Sequence, residues 1–182
     1  PCTMADIKAY RPSNSSIGSG QVLHCPYSAE KARLVVREMT EQLALDLVDK
    51  GLVTDQVILT VGYDIGNLSN PMAQDRGAGG VTTDRYGRKL PKHAHGSANL
   101  KRSTSSARYL VKAVLELYDR IINPVYLVRR IAVSANHVEE ESLASHAPVF
   151  EQLDLFTDYA SLEREREEEE AELGRERKLQ KA

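Results

Sequence analysis

Two histidines two residues apart, His93 and His95, are the first place in this 182-residue chain where a metal could be held. On a strand, residues i and i+2 share a face, which is the geometry of a two-ligand start. A third ligand is lacking nearby, so a solvated or phosphate-facing role suits them better. Glu139-Glu140-Glu141 is a run of carboxylates on one segment, the pattern of a solvated edge. Gly77-Ala78-Gly79-Gly80 lacks the Lys-Ser/Thr of a phosphate-binding loop and precedes a strand, not a helix. It reads as a hinge or a disordered tip. No nucleophile, base and orienting group fall into a catalytic pattern, and neither catalytic nor metal-binding residues are expected.

Features for binding are better developed. Between Thr82 and Arg102 stand Arg85, Arg88, Lys89, Lys92, Lys101 and Arg102 against the single acid Asp84. Such a stripe contacts phosphates, even though the overall pI of about 6.3 hides it. Hydroxyls and backbone N–H groups around Ser15, Ser16, Gly18, Ser19 and Gly20 can donate to phosphate oxygens, and glycine lets another backbone approach. The N-terminus of a helix starting near Ser105 adds unpaired N–H groups and a positive dipole end. Together these describe phosphate-directed, sequence-independent binding. The competing reading is a domain with a solvated basic edge.

These residues need elements to position them. Gln21-Val22-Leu23-His24-Cys25 reads as a first strand, led in by the flexible, hydroxyl-rich segment 13–20. Ser28 is a good N-cap, and Ala32, Val35, Val36, Met39, Leu43 and Leu47 recur at helical spacing until Gly51, giving a helix over 28–50. Alternation predicts a second strand over 53–63. Residues 64–91 are long for a loop in a compact domain, which suggests function or disorder. A third strand is expected over 93–102. Ser103-Thr104-Ser105-Ser106 should then cap a second helix, with Ala107, Leu110, Val111, Val114, Leu115, Tyr118, Ile121 and Ile122 on its apolar face. A fourth strand over 125–136 places Leu127, Ile131 and Val133 on one side and Arg130, Ser134 and Asn136 on the other.

The order is β-α-β-β-α-β, an α+β fold with a four-stranded sheet and two helices on one face. The opposite face is left for solvent or a ligand. The aliphatic core follows from 41% hydrophobic residues with no Trp and two Phe. Cys2 and Cys25 lack metal-ligand spacing, and a reduced cytoplasmic setting is expected. No apolar run approaches the roughly 20 residues that cross a bilayer. Pro1-Cys2-Thr3 carries no initiator Met, which points to a fragment of a longer protein. Residues 152–182 hold ten acidic and six basic side chains, and within them the run from Ser161 to Lys181 reads as a flexible charged tail, either helical or disordered.

In this order the motifs resemble the C-terminal, little-finger portion of Y-family translesion DNA polymerases, the group of bacterial DNA polymerase IV and UmuC-type proteins. Ser16-Ile17-Gly18 is similar to that domain's K-S-I-G opening, with Ser15 where Lys is usual. Ser105-Ser106-Ala107-Arg108 and Val128-Arg129-Arg130-Ile131 follow in register. Gln152-Leu153-Asp154-Leu155-Phe156 stands where such polymerases carry the peptide that holds the sliding clamp. The likeness covers about residues 13–156. The loop 64–91 departs from the family's shorter one.

The resemblance implies a linker from the thumb over 1–12, a DNA-binding domain over 13–140, and a linker with the clamp-binding peptide over 141–160. A charged tail over 161–182 completes the chain. It implies contacts to primer-template DNA through Ser16, Gly18, Ser19, Lys101, Arg102 and Arg130, to which the basic stripe and the helix start read above add Arg85, Arg88, Lys89 and Ser105. Partners would be that DNA, the sliding clamp, and the palm, fingers and thumb of the same bacterial polypeptide. Metal-dependent nucleotidyl transfer, with Mg2+ held by palm carboxylates, would lie outside this non-catalytic fragment. Two rivals share the topology: an RNA-binding module and a clamp-binding adaptor, both on a ferredoxin-like fold. Phe150 and Phe156 fall after the last strand, which leaves an RNA module without Phe to stack bases on.

Overall fold

The computed structural model describes residues 15–69 and 80–144, together with Thr3, Met4, Ala171, Arg175 and Lys178. Strand β1 (Ser16–Tyr27) leads into helix α1 (Ala29–Asp49) and strand β2 (Leu52–Tyr63). A short 3-10 turn (Ile65–Ser69) precedes a small hairpin of β3 (Val81–Thr83) and β4 (Lys89–Pro91). Strand β5 (Ala94–Thr104), helix α2 (Ala107–Ile121) and strand β6 (Val128–Asn136) follow. The described body closes with β7 (Glu139–Glu140) and a single turn, α3 (Glu141–Ala144).

The α+β reading holds. The main sheet runs β1-β6-β2-β5, with every neighbouring pair antiparallel. β1 and β2 are therefore parallel to one another with β6 between them, and β5 and β6 are parallel with β2 between them. Each helix bridges one such pair, so two split β-α-β units interlock. The fifth strand, β7, continues the path of β6 along β2: Val53 faces Glu139 in the register that pairs Gln56 with Asn136. His137, at φ 50, turns the chain at the break.

Both helices cover one face. Val36, Leu43 and Leu47 of α1 and Leu110, Val114 and Leu117 of α2 are buried against Val57, Leu59, Val61, Ile131 and Val133 of the sheet. Ser28 caps α1 by accepting from Lys31 N–H, and Gly51 follows the helix at φ +64, the left-handed position that glycine takes without strain. The Tyr118 hydroxyl donates to Ala29 carbonyl at 2.7 Å, and Arg33 grips the Asp119 carboxylate with two N–H bonds of 2.8 and 2.9 Å. That pair is half-exposed, so it aligns the helices more than it stabilises them. Gly96 of β5 lies beneath α2, where a Cβ would come within 2.9 Å of Leu117.

Three boundaries differ from the sequence reading. Strand β1 begins at Ser16, so the glycine- and serine-rich stretch expected to be a flexible lead is paired sheet from Ser16 to Gly20. β5 runs to Thr104, which takes Ser103 and Thr104 out of the expected helix cap and leaves Ser106 at the N-cap. In the last strand, Leu127 precedes the strand and is exposed. An irregularity at Arg129 steps the register so that Val128 and Ile131 both face the core. No helix among the described residues is long and apolar enough to cross a membrane.

Candidate nucleic-acid interface

The sheet face away from the helices is built by strand alternation. On β2, Val57, Leu59 and Val61 point into the core, which sends Gln56, Ile58, Thr60 and Gly62 to the open side. Cross-strand pairing then sets the rows. Ser16, Asn136, Gln56 and Asn99 form one row, and Gly18, Ser134, Ile58 and Ser97 form the next. Gly20, Ala132, Thr60 and His95 make a third, and Val22, Arg130 and Gly62 a fourth. Apart from Ile58 and the exposed Val22, the residues of these rows are small or polar, and no Phe, Tyr or Trp lies on this face among the described residues.

Hydrogen bonds knit the face across strands. Asn136 Nδ2 donates to Gln56 Oε1 at 3.2 Å, and Gln56 Nε2 donates to Asn99 Oδ1 at 2.8 Å. The Thr60 hydroxyl and His95 Nδ1 share a bond of 2.9 Å. His95 is thus engaged by a hydroxyl. Its neighbour His93 lies just before β5, with ring centroids 6.3 Å apart. Among the described residues no group of three His, Cys, Asp or Glu side chains could hold a metal ion.

Glycines make the face shallow. A Cβ on Gly18 would come within 2.6 Å of Ser134 Cβ and 2.9 Å of Val133 carbonyl oxygen, so only glycine permits this β1–β6 approach. A Cβ on Gly62 would press on Arg130 Cβ at 3.2 Å. Arg130 therefore rises from the face with its stem beside a glycine, exposed at the end where β2 finishes.

The predicted contact residues divide into three groups. Ser16, Gly18 and Arg130 share the open face, and Lys101 continues the outward alternation of β5. Arg85, Arg88 and Lys89 belong to the β3–β4 hairpin. Ser19, Arg102 and Ser105 lie elsewhere. Ser19 pairs with the core-facing Val133 and so takes the helix side of the sheet. The Arg102 guanidinium lies 5.8 Å from the ring centre of Tyr109 on α2. Ser105 is 3% exposed, packed before α2 rather than presented to a ligand.

The hairpin is well formed within the stretch read as loop. Asp84 N–H donates to Arg88 carbonyl and Gly87 N–H to Asp84 carbonyl, with Gly87 at φ +79: a turn closed by a glycine bulge. The Asp84 carboxylate accepts from Tyr86 N–H and Arg88 N–H, each at 2.9 Å, and from Arg88 Nε at 2.7 Å. Those donors, Arg88 N–H first, hold the carboxyl below its ordinary range. At the root, Asn67 is buried and clamps Leu127 from both sides, donating to its carbonyl and accepting from its N–H. Sequence reading set Asn136 on the side of its strand shared with Arg130 and Ser134, but passed over Tyr86 and the amides of Gln56 and Asn99 that complete its row. The Asp-Arg-Tyr-Gly turn and the alternation against Val57, Ala98 and Ala135 were the available signals.

The impB/mucB/samB family C-terminal domain matches residues 14–155. The chain belongs to this family. As the C-terminal domain of the impB/mucB/samB group it is the little-finger portion of a Y-family DNA polymerase, the resemblance that its motifs carried. A solved structure described as the complex of beta-clamp processivity factor and little finger domain of PolIV is similar at 9% identity, with a TM-score of 0.44, over 79% of this chain and 100% of that one. No curated protein sequence matches the chain. The clamp-like peptide 152–156 falls in the family match up to Leu155 and lies outside the described residues, as do Gly77–Gly79 and the expected linker over 1–12 apart from Thr3 and Met4.

Proposed function

We propose that this chain grips primer-template DNA beside the active site of a translesion polymerase and tethers that enzyme to the sliding clamp through Gln152-Leu153-Asp154-Leu155-Phe156. The observation that carries the DNA half is the open sheet face: shallow, mostly small or polar, free of Phe, Tyr and Trp among the described residues, and flanked by Arg130 and Lys101. A face with glycines at its edge strand admits a sugar–phosphate backbone close to the sheet, where hydroxyls and amides donate and the cations neutralise phosphate. Such contacts read charge and shape and leave sequence unread, as a polymerase that moves along its template requires. The absence of Phe, Tyr and Trp from the face also disfavours the RNA-module alternative, which stacks bases on sheet aromatics. Within the parent enzyme, metal-assisted nucleotidyl transfer belongs to palm carboxylates, and this domain contributes position.

The test is titration of labelled primer-template at two salt concentrations, with K101A/R130A beside the natural chain. Loss of two phosphate contacts is expected to weaken binding on every sequence and to flatten the log–log salt slope by about 2. Unchanged affinity in the double variant would remove the open face as the DNA surface. An adaptor that binds the clamp alone would bind no DNA at either salt.

A further inference from the structure

The side chain of Tyr86 at the hairpin tip is the large apolar group most open to water among the described residues, at 79% exposure. It contributes nothing to the core, yet it is held in place. Asp84 fixes its N–H, Gly87 closes the turn behind it, and the Arg88 guanidinium sits 5.4 Å from its ring centre. One ring face is thus backed by a cation while the ring remains open. Around it, Arg85, Arg88, Lys89 and Lys92 stand against Asp84 alone, whose charge Arg88 already engages. The hairpin sits where β2 ends and β5 begins, the end of the sheet that also presents Arg130.

We propose that Tyr86 is a stacking platform for an unpaired DNA base, with Arg85, Lys89 and Lys92 holding the flanking phosphates. The inference rests on the reading of the open face as a DNA surface and extends it past the duplex. Exposed aromatic rings set among cations bind single strands, because every base has a π-face and every linkage a phosphate. A base inside a duplex is stacked on both sides and offers no face to Tyr86. The duplex therefore belongs on the flat sheet, and the single-stranded template beyond the primer end belongs on the hairpin. The neighbouring Arg88 preorganises the ring, so less ordering cost falls on binding.

The chain contains no Trp, so Y86W installs the only indole and makes the site self-reporting. The full 182-residue chain is titrated with a 5′-overhang primer-template, with a blunt duplex of the same primer, and with a poly-glutamate peptide. Indole emission is expected to be quenched by the overhang substrate and left unchanged by the other two. Y86A should bind the overhang roughly 5- to 150-fold more weakly, with unchanged affinity for the blunt duplex and an unchanged melting temperature. Y86F, which keeps the ring, should stay within about twofold. Wild-type affinity of Y86A for the overhang would overturn the platform, and so would an equal loss on blunt duplex. An indole that answers to the peptide and not to DNA would also overturn it, by making the hairpin a protein-docking surface. In each of these cases the K101A/R130A result still decides the open face separately.

Discussion

At the scale of single residues, the face depends on side chains that are missing. Gly18 sits where a methyl group would meet Ser134 Cβ at 2.6 Å and a backbone oxygen at 2.9 Å. G18A gains a few tenths to 1 kcal/mol from a stiffer unfolded chain, but overpacking costs about 1–3 kcal/mol. The crowding wins, and the variant is expected to lose roughly 1–2 kcal/mol, read from the midpoint of urea unfolding. Wild-type stability would mean that β1 shifts freely against β6. Arg130 was legible from sequence because alternation separates it from Ile131 and Val133. Arg102 and Ser19 were not. Each is one residue off the outward parity, and composition alone cannot say which side of a strand a serine takes when the strand itself was read as a loop.

At the scale of elements, the two long helices and the strands they cover were readable because burial imposes a period on the residues. The hairpin imposed none: β3 and β4 are three residues each and largely exposed, so no apolar pattern marks them. Its order comes from Asp84, whose carboxylate gathers three donors. Because its folded pKa is depressed, its contribution is fully present above the unfolded value near pH 4 and is lost as pH falls through the lower folded value. The amide resonances of Tyr86 and Arg88 are expected to hold steady from pH 7 down to about 4 and to shift below that. D84N should abolish this acid transition and loosen the turn at every pH. A transition centred near pH 6 would instead implicate a histidine.

At the scale of the whole molecule, the proposed function would divide the chain into a body that grips DNA and a segment carrying the clamp-like peptide. Two weak attachments on one polypeptide raise the effective concentration of each at the other's site, so neither needs to be tight. L155A/F156A should abolish capture by a sliding clamp in a pull-down while leaving primer-template affinity intact. A double variant that unfolded would show that the two side chains pack on the body instead. The family itself was readable from the order of modest motifs. The sheet's connectivity was not, since the same β-α-β-β-α-β string is compatible with several strand orders. The order it adopts, β1-β6-β2-β5, puts the last long strand of the sequence between the first and second. During synthesis, β1 therefore has no sheet neighbour until residue 136 has left the ribosome. Helix α1 and the β2–β5 pair have all their residues available earlier, so the sheet is expected to be completed last, by the insertion of β6 between β1 and β2.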